Sequence, residues 1–203
     1  FMKKISILFL TIFISACAIY AIKKESFEET KFISSISDKY IGIELNNGYQ
    51  WLGIPYAEPP QGSLRWKAPR ALRNQNARIK ALKFSDACPQ VPSISLDRGG
   101  KEEYTGSEDC LYLNVFTPKK ISSDKKLPVM FWIHGGGNTS GEAASYDFSK
   151  LASAHELVIV SINYRLGFLG WFYHPAFAAT SNNFEDKSGN FGTLDQIMAL
   201  KWV

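Results

Sequence analysis

The run His134-Gly135-Gly136-Gly137 follows directly on the apolar segment Leu127-Pro128-Val129-Met130-Phe131-Trp132-Ile133. A strand that empties into consecutive glycines leaves bare backbone N–H groups at the end of a sheet. No Cβ then obstructs the approach of a carbonyl, and the loop is free to take positive φ. Two such donors aimed at one point stabilise the negative oxygen of a tetrahedral intermediate, and losing one costs ~3 kcal/mol of barrier. The chemistry indicated is acyl transfer, with Gly136 and Gly137 as oxyanion donors and Gly135 and Asn138 beside the substrate. The competing reading is an ordinary glycine-rich turn between a strand and a helix.

The other residues that could carry chemistry are weaker candidates. His134 could serve as a base or as a structural residue of the loop. His155 falls near the end of a helical stretch, where a cation or a surface side chain belongs, and His174-Pro175 reads as a turn into a short helix. None has Cys, Asp or Glu at metal-ligand spacing, so no metal is expected. Glu108, Asp109 and Asp195 raise the possibility of acid–base carboxylates, against which stands a role in structural ion pairs. No cofactor motif is present.

Those residues need a scaffold, and the pattern supplies an α/β one. Val129–Ile133 and Leu157–Ile162 are continuous apolar runs, read as buried strands of a sheet covered on both faces. Ala143–Glu156 between them reads as a crossover helix, and Asn190–Val203 as a further helix capped near Asn190. Strand–helix–strand alternation implies parallel strands. Before them, Lys31–Leu45 and Gln50–Ile54 read as strands around an Asn46-Asn47-Gly48 turn, a hairpin signal. Pro55–Pro69 reads as an extended surface segment, and Leu111–Phe116 alternates as a strand does.

Composition excludes several classes. Hydrophobic residues make up 45% and aromatics 14%, which indicates a packed core. The net charge of +4 is spread thinly, and half of it lies on Lys3 and Lys4. No basic stripe points to nucleic acid.

Met2-Lys3-Lys4 and the apolar Ile5–Ile14 read as a secretory signal peptide over residues 1–17, with translation starting at Met2 and Phe1 lying upstream in frame. The apolar stretch is short for a permanent span. Ile14-Ser15-Ala16-Cys17 resembles a lipobox, in which Cys17 is lipidated and anchors the protein to a bacterial membrane. Ala16-Cys17-Ala18 fits ordinary signal-peptidase cleavage instead. Either route exports the protein to the periplasm or the exterior. Residues 18–30 read as a tether. Outside the leader stand Cys88 and Cys110, an even pair in an oxidising compartment, either bridged or buried as thiols.

Several blocks resemble the type-B carboxylesterase family, the carboxylesterase, cholinesterase and para-nitrobenzyl esterase group. They are Gly53-Ile54-Pro55-Tyr56-Ala57-Glu58-Pro59-Pro60 with Leu64-Arg65-Trp66, Ser107-Glu108-Asp109-Cys110-Leu111-Tyr112-Leu113-Asn114, the glycine loop, Asn163-Tyr164-Arg165-Leu166-Gly167, and Gly189-Asn190-Phe191-Gly192 running to Trp202-Val203. They come in family order and cover most of the chain from about Phe32 onward. The resemblance implies the N-terminal part of an α/β-hydrolase fold over residues 31–203, with a mostly parallel central sheet after an antiparallel hairpin.

It further implies a serine ester hydrolase working through an acyl-enzyme on a small-molecule ester. The Cys88–Cys110 disulfide and the pairs Arg65–Glu108 and Arg165–Asp195 are implied by the same resemblance. No Gly-x-Ser-x-Gly elbow occurs, and the chain stops roughly 20 residues short of its family position, with the acid and histidine later still. The chain alone is therefore expected to be inactive. The resemblance sets the nucleophile strand beside Leu157–Ile162, so the chain alone is also expected not to fold stably. Two departures bear on substrate. Asn138 stands where the family has an aromatic, and no Trp lies between Cys88 and Cys110, only Tyr104, which disfavours choline esters. The other functional class is a catalytically dead, cholinesterase-like adhesion ectodomain, which has no need of exposed glycine N–H groups.

Overall fold

The computed structural model describes residues 29–34, 39–73, 78–91, 104–119 and 126–203. The signal peptide of residues 1–17, Cys17 and most of the tether lie outside them. Strand β1, Glu29–Ser34, begins inside the stretch read as a tether.

Among the described residues one seven-stranded sheet organises the chain, six strands running in the order β1-β2-β3-β5-β7-β6 and the seventh, β4, pairing with β2 off this path. Strands β2 (Lys39–Glu44) and β3 (Gly48–Pro55) form the expected hairpin, closed by Leu45 N–H donating to the Gly48 carbonyl at 2.8 Å. The apolar stretch before the turn is thus two strands, β1 and β2, paired antiparallel. Past Ile43 and Gln50 the hairpin strands diverge, and the short β4 (Arg78–Lys80) pairs parallel with β2 in the opening. Strand β5 (Tyr112–Pro118) lies antiparallel to β3 and to β7 (Val158–Ile162). The parallel part of the sheet is the unit β6 (Val129–Ile133), crossover, β7.

The crossover is not one helix. A 3-10 turn at Ala143–Ser145 is followed by extended Tyr146 and then α1, Ser149–His155. Asp147 Oδ1 accepts from Ser149 N at 2.9 Å, a local hydrogen bond that competes with a continuous helix and starts a new one. Helices α2 (Gly167–Gly170), α3 (Pro175–Ala179) and α4 (Phe191–Trp202) follow. Asn190 precedes α4 but makes no side-chain cap.

Two apolar layers sandwich the sheet. Ile159, Phe116 and Leu52 pack with Ala152 of α1 on one face. Val160, Ile162, Leu113 and Trp51 pack with Ala199 of α4 on the other. This is why β5 and β7 are buried on both sides. The expectation of a fully buried Val129–Ile133 is overturned, because Val129 and Ile133 are exposed. The strand next to a vacant position is also not Leu157–Ile162, since β7 has β5 on one edge and β6 on the other. On this side of the sheet the open edge among the described residues belongs to β6, as the edge at the other end belongs to β1. Pro55–Pro69 is likewise more than a surface strip: Tyr56, Ala57, Pro60, Ala68 and Pro69 are buried, and a 3-10 turn spans Gly62–Leu64.

Cys88 and Cys110 form a disulfide with Cα atoms 5.1 Å apart. Closing a loop of this size restricts the unfolded chain by about 3 kcal/mol on the loop-entropy account. Non-reducing peptide mapping of the full-length protein is expected to recover these two peptides joined. Recovery of both as free, alkylatable thiols would contradict the pairing.

Candidate functional site

Strand β6 delivers its C-terminal end into the glycine loop. Gly136 (φ 120°), Gly137 (φ 62°) and Asn138 (φ 61°) take consecutive positive φ values. The Gly136 carbonyl turns inward and accepts from Thr139 N, Ser140 N and Thr139 Oγ1 at 3.0–3.1 Å. Gly136 cannot carry a side chain, because a Cβ would collide with the Ser140 carbonyl, whereas space around a Cβ at Gly135 or Gly137 is open. The N–H groups of Gly136 and Gly137 donate to no protein acceptor among the described residues, and both residues are exposed. This arrangement can receive an anionic oxygen.

Side chains from the end of β7 hold the loop from beneath. The Tyr164 hydroxyl donates to the His134 carbonyl at 2.8 Å, and the two rings stack with centroids 4.5 Å apart. Burial pushes the Tyr164 hydroxyl above its ordinary range and so keeps it a donor. His134 is only 3% exposed, and burial lowers its pKa. A neutral imidazole with its proton on Nδ1 fits the 2.9 Å contact with the Gly135 carbonyl. A ring so engaged shapes the loop. Gly167 N donates to the Asn138 carbonyl at 2.7 Å and pins the loop's outer turn.

Asn163, buried beside Tyr164, accepts from Ala143 N through Oδ1 at 2.8 Å and donates through Nδ2 to the Asp86 carbonyl at 3.1 Å. The Tyr56 hydroxyl donates to the Asn163 carbonyl at 2.6 Å. Arg165 comes next. Its Nε and Nη2 bond the two Asp195 oxygens at 2.8 and 2.7 Å, and its Nη1 reaches the Lys67 carbonyl at 2.8 Å. Burial pushes the Asp195 carboxyl upward, and Arg165 works against that shift. Three successive side chains thus tie the loop, the crossover and α4 together.

The remaining carboxylates are engaged separately. Glu108 pairs with Arg65 through two contacts, that to Arg65 Nε being 2.7 Å, at a site reached by solvent. Asp109 meets the hydroxyl of Tyr112, which burial first and Asp109 second push up to about 12. These side chains do not form an acid–base pair. His155 is exposed in the last turn of α1, and His174 Nδ1 accepts from Ala176 N at the start of α3. Tyr104 is exposed.

Reading the sequence singled out Arg165 and the glycines but passed over Asn163, Tyr164, Gln90 and the pair Arg70–Asp186. Burial opposes ionisation of Asp186, yet Arg70, the Ala68 N–H and the Ser181 hydroxyl hold its carboxyl below the usual range. Among the described residues no group of His, Cys, Asp and Glu could hold a metal ion. None of their helices is long and apolar enough to cross a membrane.

The carboxylesterase-family profile matches residues 36–203. The chain is 44% identical over 167 residues to the para-nitrobenzyl esterase of Bacillus subtilis (strain 168), covering 81% of this chain and 32% of that protein. It is 41% identical over 174 residues to the liver carboxylesterase of Sus scrofa, covering 81% of this chain and 29% of that one. Among solved structures it is similar to a thermophilic PNB esterase, with a TM-score of 0.71 at 41% identity, covering 85% of this chain and 34% of that one. It is also similar to the Geobacillus stearothermophilus carboxylesterase EST55, with a TM-score of 0.68 at 30% identity over 86% of this chain and 34% of that one. The chain spans about a third of the length of these relatives. With an α/β fold, the glycine loop at the end of β6 and these matches in agreement, the chain belongs to the carboxylesterase family.

Proposed function

We propose that this chain is the oxyanion-binding, N-terminal part of an exported serine carboxylesterase. The observation that carries the reading is the pair of free N–H groups at Gly136 and Gly137, presented at a strand end by a loop braced from below. A serine contributed by a later segment attacks the ester carbonyl, and its proton passes to a base. The carbonyl oxygen becomes anionic against the two glycine N–H groups, the alcohol leaves with a proton, and water releases the acid from the acyl-serine. No cofactor enters. Asn138 presents a polar group on the acyl side, and Gly135, with open space around its Cα, lets the substrate pass. Export agrees with the disulfide and with the leader, in which the lipobox reading makes Cys17 a membrane anchor.

The test is the full-length gene product assayed with para-nitrophenyl acetate and a para-nitrobenzyl ester. Hydrolysis is expected, abolished by a fluorophosphonate that adds its phosphonyl mass to one serine in a Gly-x-Ser-x-Gly elbow. A folded protein with no such serine and no hydrolysis would make it an adhesion-type binding protein instead.

A further inference from the structure

The glycine loop has a third support, and it comes from the disulfide loop. Gln90 lies two residues beyond Cys88 and is nearly buried. Its backbone pairs reciprocally with Thr105, at 3.1 and 2.9 Å, which orients the side chain. The carboxamide then meets Gly141 as a neighbouring strand would. Gly141 N donates to Gln90 Oε1 at 2.7 Å, and Gln90 Nε2 donates to the Gly141 carbonyl at 2.9 Å and to the Cys88 carbonyl at 3.0 Å. Both N–H donors and one acceptor position of a buried amide are thus directed at the backbone of two residues, Gly141 and Cys88.

Gly141 in turn packs against the start of the loop. A Cβ there would collide with the Gly135 carbonyl and the His134 ring. The preceding residue, Ser140, donates its N–H to the Gly136 carbonyl. The place of Gly141 therefore sets where the Gly136 peptide sits. Tyr164 pins the beginning of the loop and Gly167 its middle, but among the described residues only Gln90 hydrogen-bonds Gly141.

We propose that Gln90 is a positioning residue for the oxyanion loop, fixing the N–H groups of Gly136 and Gly137 through its two-way bond to Gly141. The proposal rests on the esterase reading above. Gln90 touches no reacting atom. Its effect is confined to the state in which the carbonyl oxygen carries charge, because a displacement of about 1 Å at a donor is felt there most strongly.

The experiment uses the full-length protein and the variants Gln90→Met and Gln90→Glu. Gln90→Met keeps the length and removes the bonds. It is expected to lower kcat for a small ester roughly 10- to 100-fold with KM nearly unchanged. Affinity for a trifluoromethyl ketone, which binds as an oxyanionic hemiketal, should fall in parallel, while that for an unreactive competitive inhibitor holds. Gln90→Glu provides the second arm. Its ionised carboxylate faces two carbonyls, but the protonated acid reproduces the amide's donor and acceptor. Its kcat relative to wild type is expected to rise as pH falls through the carboxyl's titration, which burial raises. Equal loss of affinity for both inhibitors, a wild-type kcat in Gln90→Met, or a pH-independent ratio for Gln90→Glu would each overturn the positioning role. A Gln90→Met chain that does not fold leaves the decision to the Gln90→Glu ratio. If the wild-type protein hydrolyses no ester, the underlying reading fails and the proposal with it. Ester hydrolysis with a silent Gln90 removes the proposal alone.

Discussion

Replacing Gly137 by Ala is expected to lower kcat/KM for a small ester by about 100-fold, the scale set by one oxyanion donor. The substitution is informative because an added Cβ meets nothing within 4 Å in the structure. What is expected to change is access, because the methyl group takes up open space beside the N–H groups proposed to receive the carbonyl oxygen. The backbone cost of a side chain at φ 62° is about 1 kcal/mol, too little to unfold a domain. Gly136→Val should lose at least as much activity, but for a different reason. Its side chain runs into the Ser140 carbonyl and forces the turn open. The pair therefore separates blocking the hole from dismantling it. Steady-state kinetics on variants with wild-type circular dichroism decide the matter, and near-wild-type turnover in Gly137→Ala would place the hole elsewhere.

The second large effect lies in stability. Asp195 is fully buried and Arg165 is 2% exposed, so Asp195→Ala leaves a guanidinium with the Lys67 carbonyl and the Phe191 ring but without its counter-charge. Breaking such a pair costs about 3–5 kcal/mol, because the remaining charge stays desolvated. Denaturant unfolding of the full-length protein should show that loss. The double variant Arg165→Met with Asp195→Leu should recover most of it, since apolar neighbours of similar volume replace buried ion pairs at little cost. A loss below 1 kcal/mol in Asp195→Ala would show that water reaches the site. Arg65–Glu108 is open to solvent, and its removal should be nearly silent, the more so in salt.

Much of this architecture is legible in the residues, and what is not has a common cause. The glycine loop, the Asn46-Asn47-Gly48 hairpin and the segment ending at Trp202 announce themselves because φ-permissive residues and apolar runs act locally. Val129–Ile133 misleads because a continuous apolar run looks the same whether its edge is paired or open. Ala143–Glu156 misleads because one carboxylate, Asp147, redirects a backbone N–H and splits the helix. Gln90, Asn163 and Tyr164 act through uncharged hydrogen bonds to backbone groups 20 to 77 residues away along the chain. Such bonds leave no spacing to read. Arg165 and Asp195 lie 30 residues apart, and their pairing is legible only through the family resemblance.

The open edge of β6 carries a hazard of its own. Val-Met-Phe-Trp-Ile is an uncharged, β-branched and aromatic pentapeptide, the composition that seeds cross-β association. Its N-terminal approach is guarded by Lys126 and Pro128, residues that act as gatekeepers beside an aggregation-prone strand. Its C-terminal side has no such guard, only the glycines that the oxyanion geometry demands. A side chain charged enough to protect the strand would close the site. Protection at that end falls instead on whatever covers the edge or keeps the chain apart from its copies.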